Sequence, residues 1–115
     1  MANLTGARRD QGGLFFTKDP ESNVQFGLDF TDYLGSGDSV SSATATISTV
    51  SGDASPLALP TDQSTDVTIS SGKVVSVRVH QGSVQNVYTI KVKIVTANGD
   101  TDARSFRVVV EEKKL

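Results

Sequence analysis

Cysteine and tryptophan are absent from this 115-residue chain, and histidine occurs once. Without cysteine there can be no disulfide, thiolate nucleophile, thiolate metal site or iron–sulfur cluster, although this leaves the redox compartment open. Aromatic residues make up only 6%, which leaves little for the exposed stacking platforms that carbohydrate-binding modules use. No apolar run approaches the 18 or so residues that a membrane-spanning helix needs. The first ten residues, Met1 to Asp10, lack the apolar core of a secretory signal, so the expectation is use without Sec export. Charge of one sign is lacking as well. The formal net charge is -2, and the short basic pairs Arg8-Arg9 and Lys113-Lys114 sit beside acids rather than in a stripe. A protein that neutralises phosphates needs such a stripe, so neither nucleic acid nor membrane is an expected partner.

Catalytic patterns are equally scarce. His80 falls with Arg78 on the polar side of an alternating run, which suits a solvated residue better than a general base. No Gly-x-Ser-x-Gly elbow and no serine–lysine motif occurs among the many serines. Carboxylates gather where the chain turns: Asp19 with Glu21, Asp29 with Asp32, Asp38, and Asp100 with Asp102. The last pair loosely resembles a loop that could hold a calcium ion, but it lacks a full ligand set. Aspartate also favours turns because its side chain accepts from nearby backbone amides. The expectation is no enzyme, no cofactor and no metal.

What the chain has in abundance is alternation. Val24, Phe26, Leu28 and Phe30 alternate with polar residues, as do Ala43, Ala45 and Ile47. The pattern returns at Val75, Val77 and Val79, at Tyr88, Ile90, Val92 and Ile94, and at Phe106, Val108 and Val110. A period of two puts one set on a core face and the other in solvent. Gly13 to Thr17 reads as a short first strand and Val67 with Ile69 as another, while residues 51–64, with Pro56 and Pro60, form the longest loop. Asn98-Gly99 predicts a type I′ hairpin, in which both central residues take positive φ. About seven short strands, separated by turn residues at regular spacing and without any helical period, predict an all-β sandwich. Residues 1–13 read as a flexible N-terminal arm, 14–112 as the sandwich and 113–115 as a C-terminal tail.

Some apolar residues have the wrong parity for the core of their own strand: Val74, Val87, Val95 and Val109. Scattered surface valines are ordinary, but an apolar outer face can also be covered by another subunit. Phe15 and Phe16 pose the same question, since neighbours on a strand point opposite ways and only one can enter the core. With Arg8 and Arg9 of the arm, these six form the candidate partner-binding set. Lys91 and Lys93 would discourage unwanted pairing if their strand lay at a sheet edge.

Two segments add a resemblance. Lys18-Asp19-Pro20, Asp29-Phe30-Thr31-Asp32-Tyr33-Leu34 and Gly37-Asp38-Ser39-Val40 resemble the front half of phage fiber-tail adaptor proteins. Tyr88-Thr89-Ile90, Thr96-Ala97-Asn98-Gly99 and Thr101-Asp102-Ala103-Arg104-Ser105 resemble the back half. The resemblance implies a single immunoglobulin-like β-sandwich of about seven antiparallel strands, in a structural virion protein of a tailed bacteriophage. It implies a place at the tail or neck, synthesis in the host cytoplasm, and contacts with tail fibers, neighbouring ring proteins and further copies of itself. Capsid decoration, a tail-tube subunit and a free-standing binding module remain alternatives for the same fold.

Overall fold

The computed structural model describes residues 3–4, 8–10 and 13–112, with side chains described from residue 15 onward. Its strands are β1 (Asn3–Leu4), β2 (Arg8–Asp10), β3 (Gly13–Lys18), β4 (Val24–Asp29), β5 (Val40–Ile47), β6 (Val67–Ser70), β7 (Val74–Val79), β8 (Val87–Thr96) and β9 (Thr101–Val110). One helical turn, α1 (Gln63–Asp66), precedes β6. A four-stranded sheet has the order β1-β4-β7-β6, and a five-stranded sheet the order β2-β3-β9-β8-β5. The protein is therefore all-β, as the alternation implied.

The core lies between the sheets. Phe26, Leu28, Val75, Val77 and Val79 from one sheet meet Phe16, Tyr88, Ile90, Val92, Ile94, Phe106, Val108 and Val110 from the other in one cluster. β4, β7, β8 and the second half of β9 contribute alternate residues, so the period of two is the cause of the layering. Phe16 stacks on Phe26 with ring centroids 4.1 Å apart, and Phe106 meets both rings edge-on. This trio bridges the sheets near the start of the chain.

Several expectations need correction. Besides antiparallel ladders, β3 runs parallel to β9, with Phe15 opposite Arg107 and Lys18 opposite Val110. The chain enters the five-stranded sheet beside its own last strand, and no local pattern announces that pairing. Within residues 1–13, expected as an arm, β1 adds to β4, β2 adds to β3 and Gly13 begins β3; residues 1–2, 5–7, 11–12 and 113–115 lie outside the described residues. The strand carrying Lys91 and Lys93 is not an edge: β8 pairs with β5 on one side and β9 on the other. The β8–β9 connection is also not type I′. Gly99 N–H donates to the Thr96 carbonyl, and positive φ falls on Gly99 (91°) and not on Asn98. The turn is thus centred on Ala97-Asn98, with Gly99 as the left-handed residue after it, the three-residue variety of hairpin loop.

Candidate functional site

The carboxylate-rich turns resolve into local backbone chemistry. Asp19 accepts from the Glu21 amide, Asp29 from the amide and hydroxyl of Thr31, and Asp62 caps α1 by accepting from the Thr65 amide at 2.8 Å. Buried Asp38 accepts from the amides of Ser39 and Asn98, and buried Asp66 from those of Thr61 and Asp62. Asp102 pairs with Arg104, whose guanidinium lies 5.3 Å from the centre of the Tyr33 ring. Burial, then the charges of Asp102 and Asp100, hold the Tyr33 hydroxyl above its usual range. Among the described residues no group of three or more His, Cys, Asp or Glu side chains could hold a metal. His80 is half-buried and exchanges backbone hydrogen bonds with Ala58, at 2.9 and 3.1 Å.

At the end of the sandwich where β7 leads to β8, three segments are tied together. The Tyr88 hydroxyl accepts from the Ser83 amide at 3.0 Å and donates to the Asp53 carboxylate. Ser83 Oγ donates to the same carboxylate at 2.5 Å. Gly82, at φ 101°, fits beneath: a Cβ there would stand 2.8 Å from a Val110 methyl. Lys18 closes the other side. It is 1% exposed, and its ammonium donates to the carbonyls of Gln81 and Asp19 at 2.6 and 2.8 Å. Desolvation lowers its pKa despite the nearby Asp19 charge. These bonds cross-link the Asp53 loop, the Gln81–Ser83 turn and the adjoining ends of β3 and β8.

The hydrogen bonds from Ser83 and Tyr88 hold the Asp53 carboxyl below the usual carboxylate range. A depressed folded pKa adds stability above the unfolded value of about 3.9, and that stability is lost as pH falls through the folded one. The native chain should therefore lose melting temperature more steeply than Asp53→Asn on acidification from about pH 5 downward. Parallel melting curves in a pH series would refute the assignment.

The candidate partner-binding residues do not all come together. Phe16 is 3% exposed and belongs to the core. Phe15 points to the opposite side, where the Arg107 guanidinium lies 5.4 Å from its ring centre. Val87 and Val109 are cross-strand partners on that same outer face, and Thr17 stands beside Val109. Val87 is 47% exposed. Val95 lies at the far end of the face opposite Thr101, whereas Val74 is on the outer side of the other sheet, opposite Asp29 and Ser70. Arg8 and Arg9 occupy β2, in register with Phe15 and Leu14. Between the two ends of the outer face stand Lys91 and Lys93, both exposed, with Arg107. Every charged side chain on the outward positions of β8 and β9 is basic: Lys91, Lys93 and Arg107. Sequence reasoning found the valines singly. It could not see that β3 would bring Phe15 alongside Arg107 and Val109.

A family model described as the podophage GP4 fiber-tail adaptor protein gp77 matches residues 18–109. No curated protein sequence matches the chain.

Proposed function

Since this chain belongs to the podophage fiber-tail adaptor family, we propose that it is a structural component of a phage tail that joins the tail to its fibers. The family match carries this reading. It spans β4 to β9 and so takes in most of both sheets. The physical form suits the role: a cross-linked end and a bridged core make the domain a stiff spacer, and its faces and strand edges are its contact surfaces. The N-terminal strands β1 and β2 fall outside the matched span. They are the segments by which this member would fit its own neighbours.

Two features support reading the sandwich as immunoglobulin-like. The strand order β1-β4-β7-β6 facing β9-β8-β5 follows the ABED and GFC sheets of that fold. Tyr88 opens its strand with its hydroxyl bound to a backbone amide five residues upstream, as a tyrosine corner does. The outer face with Phe15, Val87 and Val109 around Arg107 is the contact surface proposed for neighbouring virion proteins, with copies of the chain repeated around the tail. Gold labelling of a tagged chain in purified particles checks this. Label at the tail or neck is expected, whereas label over the whole capsid would transfer the chain to a decoration role.

A further inference from the structure

β5 is one of the two edge strands of the five-stranded sheet, opposite β2, and its outer side is unusually inviting. From Ser39 to Gly52 the chain carries no charged residue, although 21% of the whole is charged. Exposed edges are normally protected by lysine, proline or a bulge. Here the ladder is irregular only between Val40 and Ser42, and no proline or charge follows until Asp53.

One side chain supplies the missing protection. Gln63, on α1, donates from its amide nitrogen to the Ala45 carbonyl at 2.5 Å, and its amide oxygen accepts from the Ala45 N–H at 2.9 Å. This is the pair of bonds that a residue of an added strand would make. Because Ala45 turns both groups outward, Ala43 and Ile47 turn theirs the same way, two residues to either side. Gln63 thus fills the middle rung of a ladder whose neighbouring rungs, at Ala43 and Ile47, carry no hydrogen bond among the described residues.

We propose that β5 is a self-association edge which Gln63 holds closed, and that its occupant is β5 of a second copy. A two-fold contact sets each strand against itself in antiparallel sense. A charged strand would then meet like charges, but β5 has none to oppose. Its exposed side chains are those of Ser41, Ser42, Thr44 and Thr46, small enough for two copies to approach. The nearest lysines, Lys91 and Lys93, lie one strand further in, opposite Thr46 and Thr44. In such a pair they would be separated from their counterparts by three strand spacings, roughly 14 Å, beyond the screening length of about 8 Å at physiological salt. Pairing requires each copy to release the Gln63 amide, so the isolated chain stays single.

The test is sedimentation of the full-length chain and of Gln63→Ala over a wide concentration range, with amide exchange followed at Ala43, Ala45 and Ile47. Gln63→Ala is expected to dimerise at least about tenfold more tightly than the native chain, since two fewer bonds must be broken per copy. Exchange at Ala43 and Ile47 should slow in the dimer. Adding Thr44→Lys should return the variant to a monomer by setting like charges across the two-fold. A synthetic peptide of residues 39–50 gives a second measurement independent of the stability of the variant. It should bind the native chain weakly and slow exchange at Ala43 and Ile47. A folded Gln63→Ala chain that stays monomeric while Ala45 exchanges faster, or a peptide that leaves those amides unprotected, would overturn the proposal.

Discussion

Replacing Phe16 by alanine is expected to destabilise the fold by about 3–5 kcal/mol, the range for truncating a buried aromatic residue. The ring is buried, stacks on Phe26 and meets Phe106 edge-on at 5.6 Å. Losing it therefore removes contacts to both sheets at once, and offset and edge-on pairs of this kind add about 0.5–1.5 kcal/mol beyond area burial. Small domains hold only about 5–15 kcal/mol in total, so the variant should unfold at much lower urea with an unchanged slope. Phe15→Ala, one residue earlier, should cost less than about 1 kcal/mol, because its ring lies on the outer face against Arg107. The contrast matters for function. A defect in Phe16→Ala would report loss of the fold, while a defect in Phe15→Ala with intact stability would report loss of a contact. If Phe16→Ala proved the cheaper of the two, the inward face of β3 would be misassigned.

Much of this architecture was legible in the residues. Val75-x-Val77-x-Val79 and Tyr88-x-Ile90-x-Val92-x-Ile94 can bury one side only as strands, and all seven of those side chains are buried. Alternation states which face turns inward but not which strand stands alongside. The parallel pairing of β3 with β9 joins residues about ninety apart in sequence, and neither strand carries a mark of it. The position of β8 inside its sheet, which removed the edge role of Lys91 and Lys93, escaped for the same reason. Other misses were local. α1 is a single turn, too short to show a helical period. Asn98-Gly99 alone suggests a two-residue turn, but the loop takes in Ala97 as well, closed by the Thr96 amide donating to the Asp100 carbonyl, and the Asp38 carboxylate receives the Asn98 amide. Lys18 was overlooked because lysine is seldom buried, although it shares its parity with Phe16 and so faces the core.

The candidate contact surface was legible only in fragments. Val87 and Val109 could be named as wrong-face valines without knowing that they are neighbours. Phe16 carried the same ambiguity as Phe15 until the parallel pairing fixed which ring turned inward. Gln63 was invisible as a functional residue, since its meaning rests on meeting a strand 18 positions away. A polar residue in a loop acquires a role only when the fold supplies its partner, whereas an alternating strand states its buried face in its own sequence.

The second large effect is expected in the particle rather than in the domain. On the proposed role as the joint between tail and fibers, loss of the chain should act on fiber attachment as a whole and not by degrees. The decisive measurement is electron microscopy of particles produced without this chain, with fibers counted per tail and their protein measured in the purified particles. The account predicts tails that bear no fibers, with attachment restored by the native chain supplied in trans but not by Phe16→Ala. Particles that keep their full complement of fibers in its absence would contradict it.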